Sequence, residues 1–148
     1  MKMLKVCKGI SKIGIDSVAF IYYIEDKNPY SEQCQEVFLQ IEAGHIVGFS
    51  STLALTEVLT HPLRENDLHT IQAYRTLLLG APGMNLIAID VPIAEKAAEL
   101  RAKYLIKTPD ALQLATAILS GCDAFLTNDK GLRRVSELLI IILDDFID

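Results

Sequence analysis

The sequence predicts an α/β protein, a three-layer sandwich in which a mostly parallel sheet of five strands lies between two layers of helices. Short apolar segments alternate with longer amphipathic ones along the chain, and the links between them are short, which is the pattern of repeated β–α units. With 148 residues, 51% of them hydrophobic, the chain can bury a large core. We therefore expect one domain, residues 1–148, with its core at about residues 13–145.

The first half of the chain provides two predicted strands and four predicted helices, preceded by a short lead-in of residues 1–12. Ser31 is placed to cap a helix and Gly44 to end it. Pro62 is expected to limit the helix that begins near Thr52. The strands are predicted at residues 13–16 and 46–49, and the helices at residues 18–25, 31–43, 52–60 and 68–79.

The second half provides three strands and three helices. Asp90 is interpreted as the entry residue of a helix that starts at Pro92. Asp123 is interpreted as a turn residue. Asp144 and Asp145 are expected in a solvated tail. The strands are predicted at residues 86–89, 124–127 and 139–143, and the last two helices at residues 108–120 and 130–137.

Residues 107–132 form the stretch around which the rest of the chain is organised. Thr108 can cap a mostly apolar helix, and Pro109 suits its first turn, where a missing N–H costs nothing. Gly121 can adopt the left-handed conformation that ends this helix. A short buried strand with a polar carboxyl end follows at once, so the stretch predicts one complete helix–turn–strand unit.

Four acidic residues stand at corresponding places in these units. Asp16 and Asp129 follow predicted strands, while Glu57 and Asp110 lie on helices that can line the same rim. Open α/β sheets bind ligands beyond the carboxyl ends of their strands. Each acid also has a structural explanation: a helix cap for Asp16, a solvated position for Glu57, a favourable helix dipole for Asp110 and a turn for Asp129.

Four carboxylates within reach of one another repel, which raises the pKa of at least one of them. A divalent cation removes this conflict, and a site made only of oxygen ligands suits Mg²⁺ or Mn²⁺ better than zinc or copper. Such a site is typical of phosphoryl chemistry, in which the cation orients the phosphate and activates water. The acids therefore indicate a metal-dependent enzyme acting on phosphate esters.

Four segments of the sequence resemble the acidic motifs of PIN domains, the nuclease domains found in VapC-type toxins. The resemblance covers about residues 13–145. The segments are Ile-Asp-Ser at 15–17, Leu-Thr-Glu-Val at 55–58, Thr-Pro-Asp-Ala-Leu-Gln-Leu-Ala-Thr-Ala at 108–117 and Leu-Thr-Asn-Asp-Lys at 126–130.

The resemblance implies a five-stranded parallel sheet between helices and metal-dependent ribonuclease activity. Asp16 and Asp110 would be the principal metal ligands, and Asp129 would complete the site directly or through water. Glu57 would hold a second metal ion or a metal-bound water. Ser17 and Thr127 would support the acids or a water. Water would attack phosphorus in line and leave a 5′-phosphate and a 3′-hydroxyl.

The resemblance also implies partners: an RNA substrate, a small cognate antitoxin and a second copy in a homodimer. Basic side chains could contact the RNA backbone, although solubility is the simpler explanation for each of them. They are Lys12, Arg64, Lys107, Lys130, Arg133 and Arg134.

Composition restricts the alternatives. A net charge of −5 does not suggest a general nucleic-acid coat. The longest apolar runs, residues 18–24 and 138–143, are too short to span a membrane. The first residues lack the long apolar stretch of a signal peptide. Three unpatterned cysteines favour a reducing cytoplasm over disulfides or a zinc site.

Two other enzyme classes fit the sequence less well, and one non-enzymatic alternative remains. A phosphatase of the haloacid-dehalogenase type would need a second acid two residues after Asp16, where Val18 stands. A receiver domain would need an acidic pair after its first strand, where Ser17 interrupts it. The non-enzymatic alternative is a PIN-like module that binds RNA or protein without nuclease activity.

Overall fold

A computed structural model describes residues 3–148 and contains one sheet of five strands. The strand order is β3-β2-β1-β4-β5, and every neighbouring pair is parallel. The predicted fold class is confirmed. The strands are β1 Lys12–Ile15, β2 Val47–Ser51, β3 Met84–Ile87, β4 Ala124–Thr127 and β5 Leu139–Ile142.

Seven α-helices and three shorter helical segments cover this sheet within the described residues. A turn of π-helix spans Thr76–Gly80, and 3-10 helices span Lys130–Arg134 and Leu143–Phe146. None of the helices in residues 3–148 has the length and apolar character needed to cross a membrane. The α-helices are α1 Met3–Cys7, α2 Ser17–Ile24, α3 Ser31–Glu42, α4 Thr52–Arg64, α5 Leu68–Arg75, α6 Val91–Tyr104 and α7 Thr108–Leu119.

Two hydrophobic clusters form the core, one on each face of the sheet. The first cluster joins α1 to α5 with the sheet, and the second contains the buried faces of α6 and α7. Strand β4 contributes to both, because alternate side chains of a strand point to opposite faces. Ala124 and Leu126 lie in the first cluster and Phe125 lies in the second.

Helix α7 packs unusually close to the centre of the sheet because β1 contains Gly14. A Cβ atom at Gly14 would lie 2.6 Å from the Cβ atom of Ala117 and 2.9 Å from the ring of Phe125. Only glycine leaves room for this approach. The close packing holds the buried face of α7 against β1 and β2.

Strand β1 is the point where the connections of the sheet change direction. It pairs with β2 on one side, where Ile13 is opposite Gly48, and with β4 on the other, where Ile15 is opposite Leu126. The connections that leave β1 and β4 therefore diverge and open a crevice at the carboxyl edge of the sheet. This is where parallel α/β sheets bind their ligands.

The amino-terminal lead-in is a helix instead of a simple extension. In α1, Met3 and Cys7 are buried against the first hydrophobic cluster. Tertiary burial stabilises this short helix, and its own sequence carries little helical signal. Met1 and Lys2 lie outside the described residues.

The predicted end of α4 is wrong. Pro62 lies inside this helix, which continues to Arg64. The proline removes one backbone donor near the end of the helix, and its ring is buried with Ala54 and Val58. Because the ring packs in the core, the helix continues past a residue type that usually ends helices.

Two predicted helices differ in type from the observed ones. The helix predicted for residues 68–79 is α-helical only to Arg75 and then widens into the π-turn. The helix predicted for residues 130–137 is a 3-10 helix that ends at Arg134. Both changes involve the spacing of backbone hydrogen bonds, which side-chain patterns do not specify.

Helix α7 begins at the predicted place with a different cap. Lys107 is the capping residue, and Thr108 is already helical. The end is as predicted, since Gly121 has a φ of +79°. Asp90 caps α6 as predicted and accepts a hydrogen bond of 3.0 Å from the Ile93 N–H.

The side chains of the two acids near the carboxyl terminus are open to solvent, as predicted, but they belong to an ordered helical segment instead of a tail. Asp144 and Asp145 lie in the last 3-10 helix. Lys130 pairs with Asp144 at 2.8 Å, and Arg133 forms two hydrogen bonds, of 2.8 and 2.6 Å, to Asp145. These contacts join the end of the chain to the segment that follows β4.

Candidate functional site

Four elements bring the four predicted acids to the carboxyl edge of the sheet. Asp16 directly follows β1, Asp129 follows β4 by two residues, Asp110 lies in the first turn of α7 and Glu57 is on α4. The charges interact: Asp110 and Glu57 both raise the pKa of Asp16, and Asp129 and Glu57 both raise that of Asp110. The four carboxylates therefore form one electrostatic group, which we call the acidic cluster.

Asp16 is the most strongly perturbed member of the acidic cluster. Its Oδ1 accepts a hydrogen bond of 2.8 Å from the Ser17 N–H, and its Oδ2 accepts one of 2.7 Å from the Thr127 hydroxyl. Both bonds favour the charged form, but burial outweighs them. Together with the neighbouring carboxylates, burial raises the pKa of Asp16 from 3.8 to about 6.

Asp110 shows the same effects less strongly. Partial burial raises the pKa of this carboxyl group, and the charges of Asp129 and Glu57 raise it further. The positive charge of Lys107 opposes them. Asp110 therefore lies where negative charge accumulates and a cation is electrostatically favoured.

Thr127 connects the ends of the two central strands. Its side chain is fully buried. The hydroxyl donates to Asp16 and accepts a hydrogen bond of 3.2 Å from the Asp129 N–H. The Asp129 carboxylate in turn accepts a bond of 2.9 Å from the Gly131 N–H. One hydroxyl thus fixes the side chain of one acid and the backbone of another.

Ser17 supports a different acid, because its hydroxyl donates a hydrogen bond of 2.5 Å to Glu57. The Ser17 oxygen accepts a bond of 3.1 Å from the Gln113 amide, whose oxygen accepts one of 2.8 Å from the Ser51 hydroxyl. We call this sequence of bonds the polar chain. Ser51, Gln113 and Ser17 are all buried, so water competes little for them, and the chain sets the direction of the Glu57 side chain.

Gln113 and Ser51 are not among the site residues that the sequence predicts. A signal was available for Gln113, since it follows Asp110 by three positions on a mostly apolar buried helix. That spacing places both side chains on the same face of α7. A buried amide on such a helix requires polar partners.

A small cleft of about 160 Å³ opens beside the acidic cluster. Asp110 and Asp129 line it, together with two basic residues, Lys107 and Arg134, and the apolar Leu105. A larger apolar groove of about 570 Å³ lies between α2, α3 and α5 and contains none of the four acids. The small cleft is therefore the one that belongs to the site.

The basic residues singled out in the sequence occupy different environments. Lys107 and Arg134 line the cleft, whereas Lys130 and Arg133 are paired with the acids of the last 3-10 helix. Lys12 begins β1 and so lies at the opposite edge of the sheet from the acidic cluster.

The chemistry of the donors suits a hard divalent cation. The acidic cluster and its two supporting hydroxyl groups present only oxygen, as Mg²⁺ and Mn²⁺ prefer. Within residues 3–148, no three His, Cys, Asp or Glu side chains already stand as a metal-binding group. Asp129 is exposed, so its carboxylate can turn toward a cation that Asp16 and Asp110 attract, whereas the Ser17 hydroxyl holds Glu57.

Comparisons with known proteins agree on the fold. The family model of the PIN domain matches residues 13–138. No curated protein matches the sequence. Several solved structures are similar to the chain at the level of the backbone.

A toxin–antitoxin complex from Klebsiella pneumoniae is 24% identical, with a TM-score of 0.66, over 90% of this chain and 98% of the solved one. VapBC2 from Rickettsia felis, bound to a DNA fragment from its promoter, is 15% identical, with a TM-score of 0.66 and coverage of 88% and 98%. DNA-bound VapBC from Salmonella typhimurium is 14% identical, with a TM-score of 0.67 and coverage of 90% and 98%. At these identities the likeness shows a shared fold.

The raised pKa of Asp16 predicts how stability depends on pH in buffer with a chelator. Between pH 3.8 and about 6 the folded protein binds more protons than the unfolded chain, so stability falls as pH rises through this window. The full effect is about 3 kcal/mol for a shift of about two pKa units. Asp16→Asn keeps a good helix cap and removes this dependence.

We therefore expect Asp16→Asn to unfold at a higher urea concentration than the wild type at pH 7, with the difference lost near pH 4. Urea unfolding at a series of pH values measures this. Parallel stability profiles for the two proteins would show that Asp16 is not destabilised by its surroundings.

Proposed function

Because the chain belongs to the PIN domain family, whose model matches residues 13–138, we propose that it is a nuclease that hydrolyses RNA with the help of Mg²⁺ or Mn²⁺. PIN domains are generally nucleases. The observation that carries the proposal is the convergence of Asp16, Glu57, Asp110 and Asp129 from four separate elements. Such crowding is electrostatically unfavourable for a fold that needs no cation at this edge.

The members of the acidic cluster would have different roles in binding the cation. Asp16 and Asp110 would be the principal ligands, Asp129 would complete the site directly or through water, and Glu57 would hold a second ion or a water. When bound, a divalent cation neutralises charge on the phosphate and lowers the pKa of coordinated water. The protein supplies the oxygens and their orientation.

The supporting residues keep that orientation. Thr127 and the Ser17 N–H hold both oxygens of Asp16, so this carboxylate presents a fixed direction to the crevice. The polar chain directs Glu57 from the opposite side. Preorganised partners of this kind reduce the rearrangement needed when substrate binds.

The substrate phosphates would enter through the small cleft. Lys107 and Arg134 line it beside Asp110 and Asp129, and their positive charges offset the repulsion between the acidic cluster and an RNA backbone. In-line attack of water on phosphorus would leave a 5′-phosphate and a 3′-hydroxyl.

The chain would act as the toxin of a type II toxin–antitoxin pair and form a homodimer. The support for the toxin role is the similarity of the fold to chains from a toxin–antitoxin complex and from VapBC complexes. We expect a small DNA-binding antitoxin to co-purify when its gene and this one are expressed together from their native locus. Recovery of the chain alone from such cells would contradict this part of the proposal.

We expect the purified protein to degrade unstructured RNA in Mn²⁺ or Mg²⁺ and to lose this activity in EDTA. Asp16→Asn removes a ligand charge while keeping the helix cap, so it should lower the cleavage rate by at least about a hundredfold. Gel analysis of a labelled RNA measures the rate and identifies the 5′-phosphate end.

Asp90→Asn is the matched control. It changes the same residue type at another helix cap outside the acidic cluster and should cleave at the wild-type rate. Equal degradation by wild type and Asp16→Asn would indicate a contaminating nuclease. Binding of RNA without any cleavage would instead favour the non-catalytic PIN-like module.

The polar chain makes a second prediction. If Gln113 acts by orienting Glu57, Gln113→Leu should lower the cleavage rate about tenfold, and it should lower it no further in a Glu57→Gln background. Comparison of the four proteins by kcat/KM, well below their melting temperatures, tests the coupling. Equal losses in both backgrounds would mean that Gln113 only stabilises the fold.

A further inference from the structure

Leu105 has a backbone conformation that is unusual for its residue type. It ends α6 with a φ of 56° and a ψ of 38°, in the left-handed region. Within the described part of the chain, the other non-glycine residues with positive φ are Asp26 and Asn66, and both belong to types that tolerate this conformation. A branched apolar residue is strained in this conformation, and such strained positions cluster at functional sites.

The side chain of Leu105 does not pack in the hydrophobic core. It is 85% exposed, more than any other large hydrophobic residue that the structure describes. Its neighbour Ile106 is 5% exposed and anchors the link between α6 and α7. The Leu105 N–H donates to the Arg101 carbonyl at 2.9 Å, and the Arg101 Nε donates to the Ile106 carbonyl at 3.1 Å. A rigid support therefore holds an apolar side chain out into solvent.

The location of this side chain connects it with the proposed chemistry. Leu105 lines the same cleft as Asp110 and Asp129. Two cationic side chains, Lys107 and Arg134, line it as well, and within residues 3–148 neither forms an ion pair with a carboxylate. The cleft thus combines one exposed apolar surface, two available positive charges and the acidic cluster.

We propose that Leu105 is a contact surface for one unpaired base of an RNA strand whose phosphates bind Lys107 and Arg134. The inference rests on the proposed ribonuclease function and adds a requirement for single-stranded RNA. When an apolar side chain covers the flat face of an unpaired base, apolar surface of both groups is removed from water, which is favourable. In a duplex both faces of each base are already stacked, so a base is available only where the RNA is unpaired.

Single-stranded RNA matches all parts of the cleft at once. Its base covers Leu105, its phosphates meet Lys107 and Arg134, and its backbone reaches Asp110 and Asp129. A protein partner could cover Leu105 with any apolar side chain. It would also have to neutralise the charges of the two basic residues and of the acidic cluster. The combination of charges therefore favours a nucleic acid.

Binding is measured in the full chain carrying Asp110→Asn, so that the RNA stays intact. The probes are a short single-stranded RNA with a fluorescent purine analogue and the same RNA annealed to its complement. Leu105→Gly and Leu105→Asn remove the apolar surface and suit the left-handed backbone. We expect both to weaken single-strand binding about tenfold, as the loss of a partly buried leucine surface implies, to leave duplex binding unchanged and to leave the melting temperature unchanged or raised.

Leu68→Ala is the matched control, because Leu68 is 77% exposed on α5 and does not line the cleft. It should bind both probes as the parent protein does. Single-strand affinity that is equal in the parent and both Leu105 variants would overturn the inference. So would a change confined to self-association or to capture of a co-purifying protein, since Leu105 would then be a protein contact.

The two proposals can fail separately. If the wild type cleaves RNA and the Leu105 variants cleave single strands equally well, the base contact is wrong and the ribonuclease function stands. If single-strand binding depends on Leu105 but the wild type cleaves no RNA with either metal, the contact stands and the nuclease assignment fails.

Discussion

The burial of Asp16 beside other carboxylates at one edge of the sheet is the constraint on which the architecture of the site depends. Burial, and to a smaller extent the charges of Asp110 and Glu57, raise the pKa of this carboxyl group to about 6. This unfavourable burial of charge lies where β1 meets β4, and the hydrogen bonds from Thr127 and the Ser17 N–H make it less unfavourable. A cation at this edge would turn the same arrangement from unfavourable to favourable.

The acidic cluster is divided into a fixed part and an adjustable part. Both oxygens of Asp16 are held by hydrogen bonds, and Asp110 is partly buried on a helix that Gly14 allows close to the sheet. The Ser17 hydroxyl holds Glu57, whereas Asp129 is exposed. Like charges favour rotamers that separate them, and an exposed side chain adopts such rotamers at low cost. The fixed acids define where a ligand binds, and Asp129 adapts to it.

The sequence predicted the local features and the common rim of the four acids, but it missed several contacts between elements that are distant in the chain. An acid after a strand and an acid in the first turn of a helix are visible in the chain itself, as for Asp16 and Asp110. The burial of the Pro62 ring and the pairing of Asp145 with Arg133 depend on elements that only the folded chain brings together. Adjacency of β1 and β4 is likewise a property of strand order, which the hydrophobic pattern does not specify.

Gln113 shows why a search for charged residues describes such a site incompletely. An ionised carboxylate only accepts hydrogen bonds, so a second carboxylate cannot direct it. An amide both donates and accepts, and Gln113 uses both capacities to join Ser51 at the end of β2 to Ser17 at the start of α2. The bonds run in one direction and end at Glu57. A neutral side chain thus orients a charged one without adding to the repulsion, which is the reason the acidic cluster needs it.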